Sequence, residues 1–355
     1  MDHELASCQN VLADRATRDE DARRRYPESE DDDGWLMDPS NVVSPYLIDV
    51  SKIMNCRALR RGGDKTQVRP LEPNTHIRRR LSHSLGVAGL AVPVAKLLGL
   101  HPDLTHAAGL GHDIGHTPFG HTGEVTLSRL SGKKICHEIL GVVIAQKVER
   151  RGRGLNLTHQ TLLCLRDHSR GDGQFGTETC ESEESALAMH TDKIDYFWAD
   201  YHDVFERGDC LNPSDYPELV GLAQWFGKGY RSRTAKCLRA LCLESKAAGR
   251  ISFGLCEEAM RLTRVKEIMY GKIYNVVNRR TEIISLIERV YRALEKIAPH
   301  LDPVFFIALL GDQELLGLAK KDNLSPADLA GLSATEILAN LKETKLDLTN
   351  PDLGW

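Results

Sequence analysis

Apolar positions recur every three or four residues along most of this chain and almost nowhere alternate. Ile283, Ile284, Ile287, Val290, Tyr291, Leu294 and Ile297 follow that spacing, which predicts an amphipathic helix of several turns with its apolar face on a core. Helices are likewise predicted around residues 81–98 and 103–116 and through 189–203. Near the carboxyl end Ser325-Pro326 reads as an N-cap followed by proline at the first helical position, and Ser333 with Glu336 has capping-box spacing. Period-two stretches are hard to find, so the expected fold is all-α, with small additional helices at the carboxyl end. The first forty-odd residues depart from the pattern. They are polar, peak at Glu28-Ser29-Glu30-Asp31-Asp32-Asp33, and read as an arm or a solvated charge run. The division expected is a polar arm over 1–45, a helical core over 46–300 and a helical extension over 301–355 packed on that core. Gly171-Asp172-Gly173-Gln174-Phe175-Gly176 and the acidic stretch after it mark a loop, either a lid, a subunit contact or plain surface.

Composition narrows the class. With 355 residues, 41% of them hydrophobic, the chain can bury one large core or two modest ones. A net charge of -4 argues against a chain-wide nucleic-acid surface. Local basic clusters nevertheless stand at Arg57-Ala58-Leu59-Arg60-Arg61, Arg78-Arg79-Arg80 and Arg150-Arg151-Gly152-Arg153. They suit an anionic substrate or a polyanion at a regulatory surface. Nine scattered cysteines without a Cys-x-x-Cys pair read as reduced thiols rather than a disulfide framework. Met1-Asp2-His3-Glu4 opens no leader pattern, and no unbroken apolar run approaches the ~18 residues a bilayer needs. A cytoplasmic chain with no membrane association is expected.

The densest chemistry is the run Gly111-His112-Asp113-Ile114-Gly115-His116-Thr117-Pro118-Phe119-Gly120-His121-Thr122-Gly123-Glu124, preceded by a helical stretch with Arg80 and His83. If 103–116 is helical, His112 and His116 share a face and Asp113 flanks them. Neutral imidazole and carboxylate suit a borderline or hard divalent ion, and no cysteine lies in the run. The Pro-Gly turn at Thr117-Pro118-Phe119-Gly120 ends the helix and swings His121 back toward the same space. Alone, His83 reads as a satisfied core histidine. Several such groups buried together would leave unpaired polar atoms costing about 1–3 kcal/mol each, so the cluster favours an ion or a substrate phosphate. In the 189–203 helix Asp192, Tyr196 and Asp200 fall at successive i, i+4 positions. That stripe could line the same site, with Asp192 completing a His, His, Asp, Asp set and Lys193 meeting an anion, or it could be a solvated acidic face.

The order His83, His112-Asp113, Asp192 resembles the HD superfamily of metal-dependent phosphohydrolases. The surrounding words narrow the resemblance to the deoxyguanosine-triphosphate triphosphohydrolase family and its dNTPase relatives. Those words are Arg24-Arg25-Tyr26-Pro27-Glu28, Asp64-Lys65-Thr66-Gln67-Val68, Arg80-Leu81-Ser82-His83-Ser84-Leu85, the His112 to Glu124 run, Gly154-Leu155-Asn156-Leu157-Thr158 and the stretch from Asp192 to Tyr196. The resemblance spans roughly residues 24–274. It implies an HD-type helical core and hydrolysis of a deoxynucleoside triphosphate, dGTP or several dNTPs, to deoxynucleoside and inorganic triphosphate by attack at the α-phosphorus. His83, His112, Asp113 and Asp192 match the metal ligands, for manganese, magnesium, cobalt or iron. His121 matches the catalytic histidine and Glu124 its acidic partner, which at i, i+3 can hold the ring and keep it protonated for the departing 5′-oxygen. His116 and Lys193 match phosphate contacts, with His116 counted among the catalytic group. Arg80 matches an α-phosphate or sugar-side contact, Gln67, Tyr196 and Asp200 match sugar contacts, and His137 belongs to the network of the site. Lys266 and Tyr274, two turns apart on one expected helical face, match residues that meet the triphosphate and sugar.

The family also implies a homo-oligomer, often a hexamer, and an allosteric nucleotide or single-stranded DNA as a further partner. Ala199, Thr117 and Gly62-Gly63 depart from the family's usual residues and bear on substrate preference, not on the ligand set. Two other readings stay open: a different HD phosphohydrolase, such as a nucleotidase or phosphodiesterase, and a non-catalytic nucleotide-sensing or nucleic-acid-binding oligomer.

Overall fold

The computed structural model describes residues 3–27, 43–70, 74–169, 180–207, 211–341 and 346–355, and these form helices, turns and connecting segments. Among them there is no strand, only the isolated bridges Arg24 with Thr158 and Thr66 with Arg79. The fold is all-α. The glycine-rich loop expectation at 171–176 and the acidic peak at 28–33 lie outside the described residues.

Three helices build the centre: α2 (Arg80–Leu98), α3 (Pro102–Gly111) and α7 (Glu183–Tyr201), each packed against the other two. Around them stand α1 (Pro45–Asn55), α4 (Gly120–Ser131), α5 (His137–Lys147) and α6 (His159–Asp167). The close approach of α2 and α3 depends on Gly109, where a Cβ would come within 2.8 Å of the Ala88 Cα. α8 (Tyr230–Ala248) packs on α7 and on α9 (Glu257–Ile268), whereas α10 (Arg280–Ile297) packs on α4 and meets α11 (Pro303–Ala308) and α12 (Asp312–Ala319), with α13 (Ser333–Leu338) against α11. The expected amphipathic helix is α10, and Ile283, Ile287, Val290 and Leu294 are fully buried, each worth roughly 1.5–3 kcal/mol of apolar transfer.

Two apolar clusters result. One joins α4, α5, α6 and α10 to the carboxy-terminal helices, with Phe305, Phe306, Leu315 and Ile337 among its members. The other gathers the later part of α2 (Val94, Ala95, Leu98), the middle of α7 (Ile194, Phe197, Trp198), α8 and α9. The amino-terminal stretch expected as an arm packs on this second cluster over the described part. Cys8 and Leu12 are buried in it, and the Asn10 and Leu12 amides donate to the Leu97 and Leu98 carbonyls at 2.8 and 2.9 Å. Arg24 is tied to Asp49 at 2.7 Å. Hydrophobic contact and two backbone bonds hold this part of the arm against the body despite its polar composition.

Three further expectations shift. α3 closes at Gly111, so His112 caps the helix instead of sharing a face with His116 inside it. Ser333 is the first residue of α13 and its hydroxyl donates to the Leu309 carbonyl at 3.0 Å, so it does not form the anticipated capping box with Glu336. Ser325 does cap a short turn, with Asp328 as its partner. Finally, α2 is long and apolar enough to pass as a bilayer span by length and composition, with a mean hydropathy of 1.4. Arg80, His83 and Lys96 interrupt its apolar run, and the helix packs at the centre of the fold against α3 and α7.

Candidate metal centre and its surroundings

His83 from α2, His112 and Asp113 at the end of α3, and Asp192 from α7 converge. The Nε2 atoms of His83 and His112 lie 3.3 Å apart. Asp192 Oδ1 is 2.9 Å from His83 Nε2 and 3.7 Å from His112 Nε2, and Asp113 Oδ1 is 3.4 Å from His112 Nε2. The far ring nitrogens are both engaged elsewhere. His112 Nδ1 donates to the Gly109 carbonyl at 2.9 Å, and His83 Nδ1 to Asp195 Oδ2 at 2.7 Å. Each ring is thereby oriented with Nε2 toward the two carboxylates, which is how proteins prepare imidazole as a metal ligand. The donor set, two imidazoles and two carboxylates without thiolate, fits a divalent cation, and His83, His112 and Asp113 form a group that could hold one.

Asp195 escaped the sequence reading, although it stands three residues after Asp192 on the same helix. It is fully buried, accepts from both Arg78 Nη1 (2.7 Å) and the Tyr230 hydroxyl, and orients His83. Burial would strip the charge from His83, yet the Asp192 and Asp195 carboxylates outweigh it and lift the ring to about 10. A cation at Nε2 would compete with that proton. Asp113 is pushed up by burial and held well below the usual carboxylate range by His112, Arg80 and His116. Arg80 itself bonds Asp113 Oδ2 at 2.9 Å and the Thr66 carbonyl at 3.0 Å.

A second histidine group adjoins the first. His116 Nε2 faces Asp113 Oδ1 at 3.1 Å and its Nδ1 faces Glu124 Oε1 at 2.5 Å, so both nitrogens anticipated for phosphate already meet carboxylates. Burial, with Arg80 and His137 nearby, pushes His116 down to about 4. His121 is 58% exposed, and its Nδ1 lies 3.5 Å from Glu124 Oε2. Glu124 is thus closer to His116 and to His137 (3.2 Å) than to the histidine it was expected to hold. Burial opposes the charge on Glu124, but His137, His116 and His121 keep it well below its ordinary range. His137 stacks on His116 with ring centroids 3.7 Å apart, and Glu124 and Glu138 lift it against burial to about 9. Its Nε2 contacts His168 Nε2 at 3.1 Å. His168, whose Nδ1 donates to the Leu165 carbonyl, was not anticipated, and nothing in its spacing from the other histidines marks it.

Of the residues expected to contact the sugar, Tyr196 and Asp200 both adjoin Tyr274. Tyr274 donates to Asp200 Oδ2 at 2.8 Å, and the Tyr196 and Tyr274 rings lie 5.7 Å apart. Asp200 Oδ1 has no hydrogen-bond partner among the described residues, and neither do Oε1 and Nε2 of the buried Gln67. Lys193 is buried close to His190, whose ring burial and that ammonium push down to about 3. Lys266 is half-buried near the end of α9, and the π-turn Met269–Ile273 intervenes before Tyr274. The inserted residue shifts the phase, so the two do not share one continuous α-helical face.

A family model described as "HD domain" matches residues 80–204. Proteins named deoxyguanosinetriphosphate triphosphohydrolase-like are similar to the chain: one from Clostridium tetani at 30% identity over 73% of this chain and 72% of its own. Another, from Caldanaerobacter subterraneus, is 31% identical over 74% and 73%. One from Desulfatibacillum aliphaticivorans reaches 37% over 52% and 54%.

Proposed function

Because the chain belongs to the deoxyguanosinetriphosphate triphosphohydrolase-like family and is an HD phosphohydrolase, we propose that it hydrolyses deoxynucleoside triphosphates to deoxynucleoside and inorganic triphosphate. His83, His112, Asp113 and Asp192 would hold the divalent cation, whether manganese, magnesium, cobalt or iron. The observation that carries this reading is the pair of imidazoles whose far nitrogens are committed to Gly109 and Asp195, leaving both Nε2 atoms facing Asp113 and Asp192.

When bound, the cation neutralises phosphate charge and supplies an activated water. Arg80, braced by Asp113, carries fixed positive charge for the α-phosphate. Cleavage at the α-phosphorus breaks its bond to the 5′-oxygen, which leaves with a proton. His121, the accessible member of the second group, gives that proton, and Glu124 with His116 and His137 forms the buried network behind it. Gln67, Tyr196, Asp200 and Tyr274 take the deoxyribose. The unpaired Asp200 Oδ1 and Gln67 amide are free for hydroxyl contacts, and the two tyrosine rings crowd the space a ribose would need. Lys193, Lys266 and a proton-neutral His116 are second-rank candidates for the phosphate chain.

A homo-oligomer, hexameric or otherwise, and a cytoplasmic location go with this reading. A cavity of about 260 Å³ lined by Arg57, Arg150, Arg151 and Arg153 favours a polyanionic effector, nucleotide or single-stranded DNA, apart from the metal group. Chromatography of products from each of the four dNTPs tests the activity. Intact triphosphate should appear with divalent metal and vanish in His112→Ala and Asp113→Ala. Orthophosphate or pyrophosphate alone would assign a nucleotidase or phosphodiesterase instead. Salt-sensitive polynucleotide binding without turnover would assign the non-catalytic oligomer.

A further inference from the structure

Two stretches of chain flank the helices that carry most groups of the proposed reaction: residues 64–67 ahead of α2, and the turn at residues 117–120 between α3 and α4. Both are held by one carboxylate. Asp312, at the start of α12 and 1% exposed, accepts the Phe119 amide on Oδ1 at 2.9 Å. Its Oδ2 accepts the Thr66 amide at 2.8 Å and the Thr66 hydroxyl. The bonds span 193 and 246 residues of sequence.

Each side of this clamp leads to the site. Phe119 is the N-cap of α4 and sits at φ 59°, ψ 24°, a left-handed conformation that a phenylalanine holds only when its surroundings enforce it. That turn sets the direction in which His121 and Glu124 leave. On the other side the Thr66 carbonyl accepts from Arg80 Nε at 3.0 Å, and the Lys65 carbonyl accepts the Arg80 amide at 3.0 Å. Gln67 follows directly, its buried amide without a partner among the described residues. Lys65 braces the same junction, donating from Nζ to the carbonyls of His116 (2.5 Å) and Ala308 (3.2 Å). The carboxy-terminal segment therefore bonds to both the Thr66–Arg80 side and the turn ahead of His121 and Glu124, although it lies outside the matched HD residues 80–204.

We propose that Asp312 is a positioning residue for the hydrolysis, setting the separation between the substrate-holding stretch at Thr66-Gln67 and the turn at Phe119 that presents His121. This rests on the triphosphohydrolase reading above. Asp312→Asn tests it, because an amide has one acceptor oxygen and an NH₂ that must face donors. Thr66→Val removes only the hydroxyl bond. Both are loaded with manganese, bound metal is counted, and kcat and KM are measured per metal-loaded molecule. Hydrogen exchange is followed in peptides containing residues 64–67 and 117–124. Asp312→Asn should keep metal stoichiometry, lose kcat by about tenfold or more, and exchange faster in both peptides. Thr66→Val should raise KM more than it lowers kcat. A purely structural role would lower the folded fraction and leave both constants per metal-loaded molecule at the wild-type value, and that result overturns the proposal. If Asp312→Asn fails to bind metal, wild-type constants in Thr66→Val overturn it. If wild-type protein releases no triphosphate from any dNTP, the parent reading fails, and unchanged exchange at 117–124 in Asp312→Asn then separately overturns the positioning role.

Discussion

A neutral imidazole serves as a metal ligand only when its other nitrogen is occupied, and Asp195 does this for His83 while its second oxygen meets Arg78 and Tyr230. Removing such an orienting carboxylate leaves the ligand in place but free to turn. Asp195→Ala should therefore weaken manganese binding by about 10–100-fold, read by calorimetric or EPR titration, and unchanged affinity would show that Asp195 serves packing alone. Asp200 makes a different prediction. Burial pushes its carboxyl up to about 8, with the Tyr274 hydrogen bond, His83 and Arg80 opposing and Asp203 reinforcing. In the unfolded chain an aspartate releases its proton near pH 4, roughly its ordinary value. Between those limits the native state holds the extra proton, so this group makes stability fall as pH rises. Asp200→Asn abolishes that slope. Urea unfolding should find the variant level with wild type near pH 4 and more stable by a few kcal/mol by about pH 8, whereas a constant difference across the range would contradict the burial of an un-ionised acid.

At the level of elements, the turn between α3 and α4 leaves no room for a side chain at Gly115, where it passes α5. A Cβ on Gly115 would lie 2.0 Å from the His137 carbonyl oxygen and 2.2 Å from the Gly141 amide nitrogen. Both are backbone atoms and cannot rotate away. Gly115→Ala should cost about 3 kcal/mol or more and disturb His137. Gly89, on the exposed side of α2 with open space around its Cβ, makes the control: Gly89→Ala should gain roughly 0.5–1 kcal/mol, both being read from denaturant midpoints. The contrast explains what was legible in the sequence. α10 was readable because helical period decides which residues it buries, whereas α7 is buried on almost every side and its period marks only the more accessible Asp192 and Tyr196. His83, His112, Asp113 and Asp192 were readable because the motif carries residue types that burial would otherwise penalise. The end of α3 at Gly111 and the π-turn before Tyr274 were not, since both are set by what packs against them. Asp195, His168 and Asp312 act through partners far away in the chain, and no local spacing encodes such bonds.

For the molecule as a whole, the candidate metal group joins α2, α3 and α7, the three mutually packed helices from which both apolar clusters extend. Without a cation, the buried carboxylates of Asp113 and Asp195 and the partly exposed one of Asp192 depend on His83, His112, Arg78 and Arg80 for balance. A cation that binds only the folded arrangement stabilises it by mass action. At a free concentration about 100 times its dissociation constant the gain is about 2.7 kcal/mol, a few degrees in melting temperature for a chain of this size. Chelator should therefore lower the melting temperature of wild-type protein, and added manganese should restore it in a concentration-dependent way. In His112→Ala and Asp113→Ala the midpoint should no longer respond to metal in the same range, while Asp195→Ala should respond only at higher concentration. A wild-type midpoint indifferent to both chelator and metal would mean that these helices come together without an ion, with the carboxylates balanced by His83, His112, Arg78 and Arg80 alone.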